Sequence, residues 1–422
     1  MADAPSASKP PPMRTLRPGA TFETERLLGP DEAVARYLEA VRLRPLGTEH
    51  IALDAAFGRI LAADAVAEAP YPADDRSTMD GFAVRSADAD TPRRISGTIR
   101  MGHAPPGPVR PGDAMRIPTG GVLPPGADAV LPVEDSKERD GLLYATAAPQ
   151  PRDYFTPRGE DMAPGDLVLP AGRRIGAPEL SVLATLGRTA VEVFRRPRVA
   201  IVSTGDELVD VGARPGTGQV RDSNRWAIAG GLIGLGCEVV HLPHGIDEVA
   251  AIRARIAEGL QAADAVVLTG GSSVGARDHV PAAIDALGAP GVVVHGMRVK
   301  PGKPTVLAAV GAQPVIGLPG NPTSALTILD AIASAVFRTL TGEREPRRAG
   351  VAALAAAPFP GRPGWTWYVP ALLEGGAARP LTIRSSHTSL LARADGYVVV
   401  GPEPARIEAG APVTVFRYGG AG

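Results

Sequence analysis

The feature that most constrains this chain is a set of short, almost wholly apolar runs, each followed at once by a turn. VAIVS (199–203), CEVVHL (237–242) and AVVLT (265–269) are separated by helical stretches near 223–235 and 248–261. Runs this short and this uniformly apolar suit strands buried on both faces, and their alternation with helices is the pattern of βαβ units. Two further runs, VVVHGMRV and TVLAAV, precede PVIGL (314–318) and a helical stretch from about Pro322 to Leu340 with no internal glycine or proline. Residues 198–343 are therefore predicted to form a doubly wound α/β domain.

The whole chain has 422 residues, too many for one ordinary core, so further domains are expected. Residues 1–25 are proline-rich and read as a disordered tail. A helix is predicted from Pro30 to Leu43, with Asp31 as N-cap and Ala33, Tyr37, Leu38 and Val41 on one apolar face. It is grouped with 44–66, read as short extended segments, and with 166–197, which holds a helix near Ala177–Leu186 and a strand near Thr189–Phe194. Together, 26–66 and 166–197 form a small linking domain on this reading, and the proline- and glycine-rich stretch 67–165 forms a β-rich domain. From 344 to 422 alternating segments such as YVVVG and VTVFR imply a small terminal β-barrel or sandwich.

Charge and cysteine usage narrow the function classes. A formal net charge of −1 supplies no global field for nucleic acid or an anionic membrane, so an anionic ligand must be held by local cations and backbone N–H groups. Cys237 is the single cysteine, which excludes an internal disulfide or a multi-cysteine metal site and fits a reducing cytoplasm. No apolar run of signal-peptide length opens the chain, and none reaches the roughly 18 residues of a membrane span. His241 and His244 read as loop histidines, since no third metal ligand lies near them in sequence.

Ligands of open parallel sheets bind beyond the carboxyl ends of the strands, so the residues after each run carry the chemistry. VAIVS leads into TGDEL, with Asp206 and Glu207; AVVLT leads into GGSSVGARD, with Gly270, Gly271, Ser272, Ser273 and Asp278. Glycines let a backbone approach an anion and turn N–H groups toward it, while Asp278 could hold Mg²⁺ against a phosphate. The same loop also suits a plain sharp turn. VKPGKP presents Lys300 and Lys303, each followed by a proline that limits the backbone, either as an oxyanion clamp or as a solvated charge pair. GLPGNPTSA opens the long helix, so its N–H groups and Ser324 could meet an anion there, or Asn321 could serve only as N-cap. In 67–165, Asp80, Thr119, Glu160 and Asp161 sit in STMDGFA, PTGGV and RGEDM, which suit turns singly and a polar wall jointly. No GxxxxGK[ST] or GxGxxG occurs, which argues against a P-loop NTPase and a dinucleotide oxidoreductase.

Taken in order, STMDGFAVR, TGGVLPPGADAV, GEDMAPGD, STGDEL, VRDSN, GGSSVGARD, KPGKP and LPGNPTSA resemble the molybdopterin molybdenumtransferase family, the bacterial MoeA proteins and the gephyrin E domain. The resemblance covers nearly the whole chain after the tail. It implies an enzyme of molybdenum cofactor biosynthesis that inserts molybdate into adenylylated molybdopterin with Mg²⁺ and releases AMP. It also implies a cytoplasmic homodimer of four-domain protomers, with each active site shared between the α/β domain of one and the β-rich domain of the other. Contact with other cofactor-biosynthesis proteins or molybdoenzyme apoproteins is a further implication; nucleic acid and membrane are not.

Carried onto this chain, the resemblance puts Asp278 and Glu207 at the metal, with Asp206 and Asp247 nearby, and makes Asp80, Thr119 and Asp161 the partner's wall. Gly270, Gly271, Ser272 and Ser273 would receive the adenylate phosphate. Lys300, Lys303, Pro304, Pro319, Asn321 and Ser324 would hold molybdate or the pterin phosphate, with Ser385 and Ser389 contributing from the terminal domain. The chain departs from the family at Gly296 and Pro370, where basic residues are expected, and at GGSS in place of GGVS. An altered oxyanion preference such as tungstate stays open, as do adenylylation of molybdopterin and a non-catalytic scaffold.

Overall fold

The computed structural model describes residues 27–88, 91–245, 247–270, 279–344, 350–382 and 388–418. The central unit is a six-stranded sheet built from β1 (Arg198–Ser203), β2 (Glu238–His241), β3 (Ala265–Thr269), β4 (Pro290–His295), β5 (Val306–Val310) and β6 (Gln313–Leu318). Their order across the sheet is 2-1-3-6-5-4. β2, β1, β3 and β6 run parallel, as the doubly wound reading expects, whereas β5 and β4 pair antiparallel, so the sheet is mixed. The reason is local: β5 and β6 are joined by the tight Gly311 turn of a hairpin, which leaves no room for a crossover helix.

The side-chain period of two divides the core into two layers. Val199, Ile201 and Val267 face one side with helix α1 (Asn224–Gly234), while Ala200, Val202 and Val266 face the other with α2 (Val249–Ala262) and α3 (Val280–Asp285). The helix Pro30–Val41 also packs on the first face through Ala33, Tyr37 and Val41, and Tyr37 donates to the Ala308 carbonyl at 3.0 Å. Its N-cap is Gly29, not Asp31, because Pro30 takes the first helical position, where its fixed φ is favourable and its missing N–H costs nothing.

The long helix α4 (Pro322–Thr341) closes the same face. It is broken in hydrogen-bond register by a π-helical segment, Leu329–Ala333, where Ser334 Oγ donates to the Asp330 carbonyl at 2.6 Å. By length and composition this helix could cross a membrane, but 67% of its most apolar window is buried within the protein, as befits a core helix.

A second six-stranded sheet lies within 81–145, and its strands Gly81–Val84 and Asp113–Ile117 pair near its middle. Thr48–Ala52 pairs antiparallel with Ala190–Phe194 over a small core that includes Ile175, Leu183 and Val193. Near the C-terminus, Gly350–Ala355, Thr366–Glu374, Ala377–Pro380, Gly396–Val400 and Pro412–Phe416 close on one another as a five-stranded barrel. Val299–Lys300 adds to that barrel by pairing in parallel with Thr366 and Trp367, which ties the KPGKP segment to the terminal unit.

Candidate functional site

In the order 2-1-3, the connection from β1 leaves to one side and the connection from β2 returns past it to the other. β1 and β3 therefore flank a topological switch point, and the crevice beyond their carboxyl ends is where such sheets take ligands. A cavity of about 520 Å³ lies there, lined in part by Thr204 after β1, Gly270 after β3 and Asn321 after β6. Gly270 has φ +94°, and a Cβ at this position would collide with the Thr204 carbonyl, so only glycine allows the two strand ends to approach so closely.

Glu207 reaches this cleft from the loop after β1. A two-residue parallel ladder, Leu208–Val209 with Val220–Arg221, holds that loop and brings Arg221, Asp222 and Asn224 of the VRDSN segment to the same wall. Asp222 is 5% exposed; its Oδ1 accepts from the Arg225 N–H and its Oδ2 lies 3.3 Å from Arg225 Nε. Asn224, at the first turn of α1, donates to Thr269 Oγ1 at 2.9 Å and to the Gly320 carbonyl at 2.7 Å, so one amide ties the ends of β3 and β6. Among the described residues that line the cleft, Arg221 is the single basic one. Thr388, from the first turn of the short helix Thr388–Arg393, adds the terminal unit to its rim.

Several expected residues stand elsewhere. Asp206 Oδ1 accepts from the Asp247 N–H at 3.2 Å, which joins those two residues beside the cleft without placing them among its lining. Asn321 occupies the N-cap position of α4 but makes no side-chain cap, and it is exposed to the cleft. Pro319 and Ser324 are buried and line no described cleft; Ser324, at 4% exposure, packs inside the helix it opens. Lys300 lines a second cleft of about 550 Å³, with Thr382 and Arg406, and its ammonium stands 4.0 Å from the centre of the Trp367 ring. Among the described residues the two clefts share no lining residue. Lys303 and Pro304 are half-buried in the intervening turn, where the Lys303 carbonyl accepts from the Met297 N–H. Ser389 is exposed one residue beyond Thr388. Gly271, Ser272, Ser273, Asp278 and Ser385 lie outside the described residues.

Of the three segments singled out in 67–165, those of Asp80 and Thr119 meet directly, while Asp161 is held by the Tyr71 segment. Asp80 Oδ1 accepts from the Thr119 N–H at 2.6 Å and from its hydroxyl at 2.9 Å. These bonds, the backbone one first, hold the Asp80 carboxyl below the usual carboxylate range. The Thr119 turn is fastened to Ser77 through Gly120 and Gly121, Arg76–Ser77 pairs with Phe155–Thr156, and Asp161 donates its N–H to the Tyr71 carbonyl. None of Asp80, Thr119 and Asp161 lines either cleft.

Sequence reading missed Thr204, Asp222, Asn224, Thr388, Trp367 and Arg406. VRDSN was marked as a motif, but aspartate, serine and asparagine in a loop also suit turns, and only the fold brings them against Gly270. Among the described residues no group of three or more His, Cys, Asp or Glu could hold a metal by itself.

Three family models match this chain: the MoeA N-terminal region (domain I and II) over residues 28–187, a probable molybdopterin binding domain over 200–339, and the MoeA C-terminal region (domain IV) over 352–418. The chain is 31% identical over 398 residues to a molybdopterin molybdenumtransferase of Haemophilus influenzae, covering 92% of this chain and 98% of that protein. It is also 31% identical over 402 residues to a molybdopterin molybdenumtransferase of Bacillus subtilis, covering 92% and 93%. Its structure resembles that of a molybdopterin biosynthesis MoeA protein from Pyrococcus horikoshii, with a TM-score of 0.72 at 29% identity over 93% of this chain and 99% of the other.

Proposed function

This chain belongs to the molybdopterin molybdenumtransferase family and is an enzyme of molybdenum cofactor biosynthesis; from that premise we propose that it inserts molybdate into adenylylated molybdopterin with Mg²⁺ and releases AMP. The observation that carries this reading is the cleft at the switch point, where Glu207, Arg221, Gly270 and Asn321 meet from four chain segments. Arg221 and the backbone N–H groups around Gly270 suit the adenylate phosphate, and the open strand ends let it approach. Lys300 and Arg406 in the second cleft supply cations for the other oxyanion, molybdate or the pterin phosphate. An extended substrate with two anionic parts suits two cationic clefts better than one.

The donor set fits Mg²⁺. Glu207 is a hard oxygen donor exposed in the cleft, and this ion ordinarily takes one or two carboxylates, with waters and substrate phosphate completing the shell. That explains why no multi-carboxylate cage is needed among the described residues; Asp278 is the proposed second ligand. When bound, the ion supplies charge neutralisation at the phosphoanhydride. The protein's own residues then orient the anhydride between Glu207 and Arg221 and keep the oxyanion close to its acceptor.

Asp80, Thr119 and Asp161 complete the site, on this reading, from a second copy of the chain, because Asp80 and Thr119 form a bonded polar pair and none of the three lines either cleft of their own protomer among the described residues. The reaction belongs in the cytoplasm. A reducing compartment suits the one cysteine, Cys237, which is buried and whose pKa burial pushes up to about 12. The test is to incubate the protein with adenylylated molybdopterin, Mg²⁺ and molybdate. Molybdate-dependent appearance of AMP supports the reading, whereas formation of the adenylate from ATP and molybdopterin would favour an adenylyltransferase.

A further inference from the structure

The second cleft is lined by two cations, Lys300 and Arg406, which are held in different ways. Arg406 Nε lies 2.8 Å from Glu408 Oε1, so a carboxylate answers part of its charge. Lys300 makes no ion pair among the described residues; its exposed ammonium stands 4.0 Å from the centre of the Trp367 ring. The backbone builds this contact. Val299–Lys300 pairs in parallel with Thr366 and Trp367, with Lys300 opposite Trp367, and the Thr366 N–H donates to the Arg298 carbonyl at 3.0 Å, which fixes the register. Partners opposite each other in a ladder project to the same face, so the register itself brings the ring and the ammonium together. Trp367 packs half-buried against the core of the barrel, which leaves its ring little freedom. A ring face and a carboxylate hold an ammonium with different consequences. The carboxylate neutralises the charge and competes with an incoming oxyanion, whereas the indole quadrupole attracts the cation and leaves its unit charge, and the N–H groups directed away from the ring, to the ligand. A lysine held by nothing must be ordered when the anion binds, at a cost in affinity; one already held on a ring avoids much of that cost.

We propose that Trp367 is a positioning residue for the oxyanion: its ring holds the Lys300 ammonium at the second cleft without neutralising it. The inference rests on the reading that this cleft takes molybdate or the pterin phosphate.

A double-mutant cycle tests it, with the affinities of the full chain for molybdate and for inorganic phosphate measured by equilibrium titration. Lys300→Gln is expected to weaken one of the two anions about tenfold, which identifies the anion that the cleft takes. Trp367→Leu should weaken the same anion about three- to tenfold, and Trp367→Phe, which keeps an aromatic face, less than about twofold. In the Lys300→Gln background Trp367→Leu should cause no further loss, because a residue that acts through the ammonium then has nothing to hold. A tryptophan that only shapes the barrel would cost the same with or without the lysine. Equal losses in the two backgrounds, a phenylalanine variant as weak as the leucine one, or no loss from Trp367→Leu would each overturn the inference and leave the reading of the cleft standing. Should Trp367→Leu not fold, the cycle is run with Trp367→Met and decides in the same way. If neither anion binds the wild type, or Lys300→Gln weakens neither, the reading of the second cleft falls and the inference falls with it.

Discussion

Asp80 is bound by both donors of Thr119, and its carboxyl titrates below the ordinary range as a result. A carboxyl with a depressed folded pKa contributes stability above its unfolded pKa and loses it as pH falls through the folded one, so the Asp80–Thr119 clamp is closed at neutral pH and opens in acid. Thr119→Val keeps the backbone N–H and removes the hydroxyl; the Asp80 midpoint should rise toward the ordinary value when followed by carboxyl-carbon NMR. An unmoved midpoint would show that the hydroxyl contributes nothing. Legibility differed sharply from one residue to the next. Glu207, Gly270 and Asn321 could be picked out because they stand directly after buried strands, where the fold puts ligands. Asn224 could not, because its contacts at Thr269 and Gly320 are 45 and 96 residues away. Lys300 was legible as a cation, but its pairing with the Trp367 ring depends on a barrel strand that sequence spacing does not reveal.

The elements follow from their apolar period, and their exceptions have local causes. The four parallel strands were legible as uniform apolar runs, but the antiparallel turn of β5 was not, because a hairpin strand buried on both faces has the same composition. α2 lies close against the sheet at Gly259, where a Cβ would stand 2.8 Å from Val266 Cγ2 and 3.2 Å from Ala200 Cβ. Gly259→Ala should therefore destabilise the protein by about 1–3 kcal/mol in denaturant unfolding, against the gain of about 1 kcal/mol that alanine brings to an open helix. A gain in stability would mean that the helix can move away from the sheet. Tyr37 fastens the helix Pro30–Val41 to β5 by one buried hydrogen bond. Tyr37→Phe should cost about 1 kcal/mol in the same measurement, and no loss would leave that bond without a stabilising role.

At the scale of the whole molecule, several contacts join the terminal barrel to the central unit. Val299–Lys300 extends a barrel strand, Thr388 reaches the first cleft, and Tyr397 donates to Asp330 Oδ2 in the π-helical segment of α4 at 2.8 Å. Among the described residues the β-rich unit lines neither cleft, which is why a second copy is proposed to bring Asp80 and Thr119. Subunit mixing tests this: Asp80→Asn and Glu207→Gln proteins, each inactive alone, should recover activity when dissociated and reassociated together, since one site of the mixed dimer has both walls intact. Continued inactivity of a verified mixed dimer would place Asp80 and Glu207 in the same chain's site. The claim beneath all of this is that the switch-point cleft performs the chemistry, and single-turnover AMP release from adenylylated molybdopterin by Glu207→Gln tests it most directly. Glu207 is exposed, so the variant should keep its thermal midpoint within about 2 °C of the wild type while releasing AMP at least about a hundredfold more slowly. Release at the wild-type rate from that folded variant would contradict the account.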